Sequence, residues 1–146
     1  DIRIPVATAN IASVGSQTML LFIAPPDSDS AHASRYKVVP MDDNPEHFGG
    51  GFYRIINLSQ DTLYCKINQE GKVIASGNTL LVDVKSQGTP TVDVAIAERD
   101  DDEYKQIYRA QWPVNARQRT LIFLFPINHD GRTTIDTFMV SDYVLN

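Results

Sequence analysis

Apolar and polar side chains alternate along much of this chain with the two-residue period of a β-strand. The clearest case is residues 91–98, where the larger apolar side chains occupy every second position: Val92, Val94 and Ile96. Successive side chains of a strand point to opposite faces, so this segment predicts a strand with one buried and one wet face. No stretch keeps helical spacing for more than about two turns.

Residues 61–85 predict three consecutive strands that pair as a meander. Residues 63–67 alternate with Cys65 facing inward, and the turn at 68–71 contains Gly71, which can adopt the positive φ of a hairpin loop. Residues 73–75 then pair back. The turn at 76–78 leads into a third strand at 80–84.

Further strands are predicted on both sides of this meander. Residues 104–112 place four side chains on one face, with Ile107 the exception to the alternation: Tyr104, Tyr108, Ala110 and Trp112. Residues 120–127 are apolar on both faces, which indicates a central or covered strand, and a turn at 128–131 returns the chain as a strand at 133–140. Candidates nearer the start are an edge strand at 2–7, a buried strand at 18–24, and strands at 36–41 and 52–58.

Nine or ten short strands without crossover helices indicate an all-β fold, an antiparallel two-sheet β-sandwich of immunoglobulin-like or jelly-roll-like type. A closed β-barrel is the alternative. We expect one domain over residues 1–146. The segment 42–51, which ends in three glycines, is a candidate hinge.

Residues 53–59, Tyr-Arg-Ile-Ile-Asn-Leu-Ser, are followed by an alternating strand and a glycine turn. This string resembles the opening of small secreted, uncharacterised bacterial β-sandwich modules. The resemblance implies an exported sandwich and transfers no catalytic residue. The chain begins with Asp rather than Met, which fits removal of a signal peptide and equally a cut at a domain edge. We therefore expect a periplasmic or extracellular location.

Composition excludes several classes of function. The net charge is −5, and the basic residues are scattered, which argues against a nucleic-acid partner. No apolar run is long enough for a transmembrane segment. With one cysteine among 146 residues, an intrachain disulfide is impossible.

Few residues offer catalytic or metal chemistry. The acidic run Asp100, Asp101 and Asp102 is a weak calcium candidate, and a solvated hairpin tip explains it better because the spacing of a calcium loop is missing. His32, His47 and His129 are far apart in sequence and fall in predicted loops. No hydrolase elbow, zinc-protease motif or phosphate loop occurs, so we expect neither an enzyme nor a cofactor.

The tyrosines are the best candidates for a ligand site. Tyr64, Tyr53 and Tyr108 lie on predicted strands, and Tyr64 falls on the polar face of its own strand, whereas Trp112 is expected in the core. The leading hypothesis is a non-catalytic interaction or structural module with a protein partner. Carbohydrate binding through exposed strand aromatics is the alternative, and a hydrolase with an unrecognised acidic site is the second alternative.

Overall fold

The computed structural model describes residues 7–11, 17–24, 36–101 and 103–144 and shows an all-β protein. Its described elements are ten strands and one short 3-10 helix, in the order β1 (Thr18–Ile23), β2 (Lys37–Asp42), β3 (Phe52–Asn57), β4 (Leu63–Ile67), β5 (Glu70–Ile74), β6 (Thr79–Asp83), the 3-10 turn Lys85–Gln87, β7 (Thr91–Asp100), β8 (Glu103–Pro113), β9 (Gln118–His129) and β10 (Arg132–Tyr143). Over these ranges no helix has the length and hydropathy of a membrane span. The edge strand predicted at 2–7 falls on residues outside the described ranges, apart from residue 7.

The chain divides into two compact units, Asp1–Phe48 and Gly49–Asn146. The boundary falls inside the segment 42–51, and both a hinge there and a single domain over residues 1–146 stay predictions. In the first unit, β1 and β2 form an antiparallel two-stranded sheet. The strand predicted at 18–24 is confirmed, but its expected burial is wrong: Leu20 is 43% and Phe22 55% exposed, because in a two-stranded sheet one face of β1 stays open to solvent.

The second unit consists of two four-stranded sheets. Sheet I has the strand order β10-β9-β3-β6, and sheet II has the order β5-β4-β7-β8. All pairings are antiparallel except that between β3 and β9, which is parallel. Parallel neighbours need a long crossover connection, and here the strands β4 to β8 provide it. The sequence predicted only hairpin pairings and therefore missed this one.

One hydrophobic core is shared by the two sheets. It contains side chains of sheet I such as Ile55 and Ile122, and side chains of sheet II such as Val92, Ile96 and Trp112, all at most 2% exposed. The strand β9 lies between β10 and β3, which confirms that the segment apolar on both faces is central. The described strands form open sheets rather than the closed barrel considered as the alternative.

The predicted three-strand meander is wrong in its third strand. β4 and β5 form a hairpin, but β6 leaves that sheet and pairs with β3 in sheet I. The chain crosses at Gly77, whose φ is +73° and whose N–H donates to the carbonyl of Asn57. Local turn chemistry indicates that the chain reverses at 76–78, but it does not say which sheet receives the next strand.

The side chain of Asn57 stabilises this crossing. It is fully buried, and its amide nitrogen donates to the carbonyls of Asp61 at 2.8 Å and Ile74 at 2.9 Å. Its carbonyl oxygen accepts from the backbone N–H and the hydroxyl of Ser59, at 2.9 and 2.6 Å. A buried amide with all its polar atoms bonded fixes the ends of β3, β4 and β5 relative to one another.

The hairpin turns use residues with positive φ. At the β4–β5 turn that residue is Asn68, with φ of +50°, and Gly71 lies within β5 instead of in the turn as predicted. Asparagine adopts the left-handed region more readily than most residues. The side-chain oxygen of Asn68 accepts from the N–H of Asp93 on β7 at 2.9 Å, which ties the turn to the neighbouring strand. At the β9–β10 turn, Asp130 and Gly131 both have positive φ, as a two-residue hairpin loop requires.

A β-bulge at Ile107 changes the face of the first half of β8. Ile96 of β7 pairs with Tyr108, but the next residue, Ala97, pairs with Gln106, so that Ile107 has no partner in the ladder. Its carbonyl accepts a hydrogen bond from the hydroxyl of Thr134 on β10, at 2.8 Å. The bulge is thus held by the other sheet, and it reverses the alternation of the residues that precede it.

Candidate functional site

The outer face of sheet II, away from the shared core, brings two tyrosines together. Tyr64 of β4 and Tyr104 of β8 lie on either side of β7, where Tyr64 stands opposite Ala97 and Tyr104 stands opposite Arg99, two positions along. Strands lie about 4.8 Å apart, so the two rings reach each other diagonally across β7, beside the small side chain of Ala97. Their ring centroids are 4.4 Å apart at an interplanar angle of 68°, an edge-to-face contact.

The tyrosines differ in exposure. Tyr104 is 60% exposed, and Tyr64 is half-buried beside it. A hydrogen bond with Tyr64 raises the pKa of Tyr104 above its usual value, because the bond stabilises the neutral phenol. The pair thus presents one accessible ring that a second ring holds in place.

Shallow depressions surround the pair on the same face. The most apolar has a volume of about 340 Å³, and its lining includes the two tyrosines and small or apolar residues of the three neighbouring strands, among them Gly71, Val73, Ala95 and Ala97. A second depression, of about 280 Å³, shares Lys66, Ala95 and Gln106 with it and extends to Arg109. We call this surface the tyrosine face: Tyr64, Lys66, Gly71, Val73, Ala95, Ala97, Tyr104, Gln106 and Arg109.

Two cations lie on the tyrosine face beside the aromatic pair. Lys66 of β4 and Arg109 of β8 both stand opposite Ala95 of β7, so the three form one row across the sheet. The neighbouring acid, Asp93, accepts a hydrogen bond from Gln111 at 2.9 Å. The tyrosine face therefore combines an apolar floor, an exposed ring and polar groups beside them, which together are the parts of a shallow ligand site.

The other two predicted tyrosines lie elsewhere. Tyr53 is 3% exposed, its hydroxyl donates to the carbonyl of Pro113, and its ring packs edge-to-face on Trp112 at 5.7 Å. Tyr108 is half-buried and accepts a hydrogen bond from the indole N–H of Trp112 at 3.0 Å. The structure therefore separates Tyr64 from Tyr53 and Tyr108, which belong to the core side of the sheets, and it confirms Trp112 as a core residue.

The sequence missed Tyr104 as a site residue. Strict alternation places Tyr104 on the same face as Tyr108 and Trp112, toward the core. The bulge at Ile107 overturns that placement. Its only signal in the sequence was an apolar side chain at a position where the pattern called for a polar one.

The acidic candidates lie at one end of β7. Asp100 is exposed at the end of the strand, Asp101 occupies the turn with φ of +52°, and Asp102 is outside the described residues. Asp100 also borders a depression of about 320 Å³ with Asp61 and Glu98. Glu98 forms an ion pair with Lys105 at 3.7 Å.

Of the three histidines, only His47 has a described side chain. His47 is exposed and pairs with Asp42 in the first unit, His32 is outside the described residues, and of His129 only the backbone, at the end of β9, is described. Across residues 7–11, 17–24, 36–101 and 103–144, no three metal-ligating side chains come together.

Cys65, the only cysteine, faces the core as predicted and is 1% exposed. Burial raises the pKa of its thiol to about 12, so it stays protonated at neutral pH and is a poor nucleophile.

The tyrosine face is the best-defined candidate site in the described residues. Compared with known proteins, the chain matches no family model, no curated protein and no solved structure.

Proposed function

We propose that this protein is a non-catalytic binding module with a β-sandwich fold, and that the tyrosine face binds a carbohydrate. The observation on which this rests is the pair of tyrosines on an outer sheet face, one of them 60% exposed, above a floor of alanines. Exposed aromatic rings on a soluble protein present apolar surface to water, which a ligand contact would remove.

The chemistry of the face matches a sugar ring. The axial C–H groups of a pyranose stack on an aromatic ring, while its hydroxyls need hydrogen-bond donors and acceptors nearby. Tyr104 supplies the ring. Gln106, Lys66 and Arg109 supply polar groups within the same two depressions.

The angle between the rings limits the ligand. At 68° the two tyrosines do not form a flat platform, so only one ring face can stack on a sugar at a time. A volume of about 340 Å³ is near the lower end of the range for small-molecule pockets, about 300–1,000 Å³. We therefore expect recognition of one or two sugar residues with modest affinity.

A glycan array followed by calorimetry tests the proposal. We expect the wild-type protein to bind a defined subset of glycans, and Tyr104→Ala to reduce that affinity at least tenfold because the stacking ring is lost. Tyr64→Ala should reduce it as well, since Tyr64 positions Tyr104.

Phe138→Ala is the matched control. Phe138 is 59% exposed on β10 of sheet I, so the variant removes an equally exposed aromatic ring from a different sheet and should leave glycan binding unchanged. Binding that survives both tyrosine substitutions, or no glycan bound at all, would contradict the proposal.

The outer face of sheet I favours a protein partner as a second candidate function. Phe138 stacks on Phe123 at 6.2 Å, and Val140 and Leu81 on the same face are 43% and 45% exposed. Sedimentation of wild type and of Phe138→Ser over a range of concentrations tests whether this patch contacts protein. Self-association of the wild type alone would support this candidate, and monomers at all concentrations for both would count against it.

Export is part of the same proposal. The segment 53–59 resembles the opening of secreted sandwich modules, and glycan ligands are most abundant outside the cytoplasm. Asn57 begins an Asn-Leu-Ser sequon, but its amide nitrogen makes two hydrogen bonds and the side chain is fully buried. The folded protein therefore offers no glycan acceptor at this position.

A further inference from the structure

We infer that the ligand of the tyrosine face is an acidic sugar, a residue of the uronic acid class, whose carboxylate binds between Lys66 and Arg109. This inference rests on the proposed function and specifies its ligand class. It follows from the positions of the two cations beside the aromatic pair, because stacking of a neutral sugar on the tyrosines would not need their charge.

The row Lys66, Ala95, Arg109 places two long cationic side chains on either side of a small one. Their strands are separated by β7, so their Cα atoms lie about 10 Å apart, from two strand spacings of about 4.8 Å. Both side chains are long enough to reach a common point above Ala95. A carboxylate there would accept charge-assisted hydrogen bonds from both.

Neither cation has an ion pair or a side-chain hydrogen bond elsewhere in the described part of the chain, and both are exposed. Other basic residues nearby are engaged: Lys72 pairs with Glu70 at 3.3 Å, and Lys105 with Glu98 at 3.7 Å. The charges of Lys66 and Arg109 are therefore available to a ligand.

The distance from the stacking ring to the cations suits a disaccharide. The β7 residue opposite Tyr104 is four positions from Ala95, which corresponds to about 13 Å along a strand. Tyr64 lies between these two rows, about 7 Å from Lys66 on β4. A disaccharide with one ring stacked on Tyr104 would thus extend past Tyr64 and direct the carboxylate of a second ring, a uronic acid, toward Lys66 and Arg109.

One acid lies beside the two cations. Asp93 lines the same depression, and its carboxylate accepts from the neutral amide of Gln111 at 2.9 Å, which leaves its negative charge in place. Because two cations face this one acid, the depression keeps a net positive charge. The chain as a whole has a net charge of −5, so an anionic ligand gains nothing from long-range attraction. Selectivity for the carboxylate must therefore come from Lys66 and Arg109 themselves. Because both side chains are exposed, salt should weaken their attraction to the carboxylate.

Calorimetry with two matched ligands tests the inference: a short uronic acid oligosaccharide, and the same oligosaccharide with its carboxyl groups reduced to alcohols. We expect the wild type to bind the acidic form at least tenfold more tightly at low salt, which corresponds to about 1.4 kcal/mol. K66Q/R109Q should lose this preference and bind the acidic and the reduced form with equal affinity. R117Q/R132Q removes two exposed cations outside the tyrosine face and should keep the preference.

The outcomes separate the two proposals. Equal binding of both ligands, or a preference that K66Q/R109Q leaves unchanged, would overturn the acidic-sugar inference while glycan binding stands. Failure to bind either these or any arrayed glycan would overturn both. Binding of polyglutamate that depends on Lys66 and Arg109 but not on Tyr104 would show a site for anionic polymers and would refute the sugar.

Discussion

The strand β8 supports two groups of aromatic residues with opposite environments. Trp112 and Tyr108, toward its end, point to the core and pack with Tyr53, whereas Tyr104, near its start, points outward and contacts Tyr64. Trp112 is 2% exposed and Tyr104 is 60% exposed. This difference in exposure does not come from residue type, because both groups are aromatic. It comes from the bulge at Ile107, which lies between the two groups and changes the face of the residues that precede it.

The two environments also act differently on phenol ionisation. Burial raises the pKa of Tyr53 to about 12, because the charged phenolate would lose its hydration in the core. The pKa of the exposed Tyr104 is raised mainly by its hydrogen bond with Tyr64. Both pKa values are therefore raised, but for Tyr53 the cause is burial in the core and for Tyr104 it is a contact on the surface.

Removing a ring from each group should give the largest contrast. Trp112→Ala leaves a cavity in the shared core and should lower the free energy of unfolding by about 3–5 kcal/mol. Tyr104→Ala removes a surface ring and should lower it by about 1 kcal/mol or less. Urea unfolding measures both, and equal losses would show that the two environments are not as different as their exposures imply.

Alkaline pH should destabilise the core group next. Cys65 and Tyr53 have ordinary pKa values of 9.0 and 10.0, and each is raised to about 12 in the folded protein. Both groups are neutral when protonated, so the unfolded chain releases these protons first. The stability they contribute is complete below pH 9 and is lost as the pH rises toward 12.

Cys65→Ala isolates one of these contributions. The difference in unfolding free energy, wild type minus variant, should fall steadily above pH 9 when both are measured in parallel urea titrations. A difference that stays constant up to pH 12 would show that the thiol ionises as easily in the folded protein as in the unfolded chain.

Loosening the bulge should have an intermediate effect. Thr134→Val removes the hydroxyl that donates to the Ile107 carbonyl and should cost about 1–2 kcal/mol, because the carbonyl loses its partner in a partly buried place. Thr133→Val, the adjacent exposed threonine, is the control and should be nearly neutral. If both variants unfold alike, the hydroxyl does not hold the bulge.

The smallest effect is expected from the surface contact itself. Tyr64→Phe removes the hydroxyl that bonds to Tyr104 and should change stability by less than about 0.5 kcal/mol. The pKa of Tyr104 should nevertheless fall back toward its usual value, which NMR titration of the ring can follow. An unchanged titration curve would mean that the hydrogen bond does not raise this pKa.

Alternation alone predicted most of the strands and several side-chain placements. Cys65 and Trp112 face the core and Tyr64 faces out, because each lies in a segment whose pattern leaves one choice of face. The strand β9 is central, as its apolar side chains on both faces indicated. Where a segment is apolar on both faces, as around Tyr53, the pattern cannot choose, and Tyr53 proved to be buried.

Pairing between distant strands could not be predicted in the same way. The transfer of β6 to sheet I and the parallel contact of β3 with β9 depend on contacts far apart in sequence. Tyr104 was misplaced for a local reason, since one unpaired residue inverts the face of everything before it. The candidate site was thus half predicted, with Tyr64 but without its partner.

Ile107 has a consequence for how such a surface can persist while the length of its strand changes. Deleting one codon at this position would leave Tyr108 opposite Ile96 and Gln106 opposite Ala97 in a regular ladder, so Tyr104 would keep its outward position. Related chains could in this way gain or lose one residue here and keep the exposed ring, with the interior sequence unchanged.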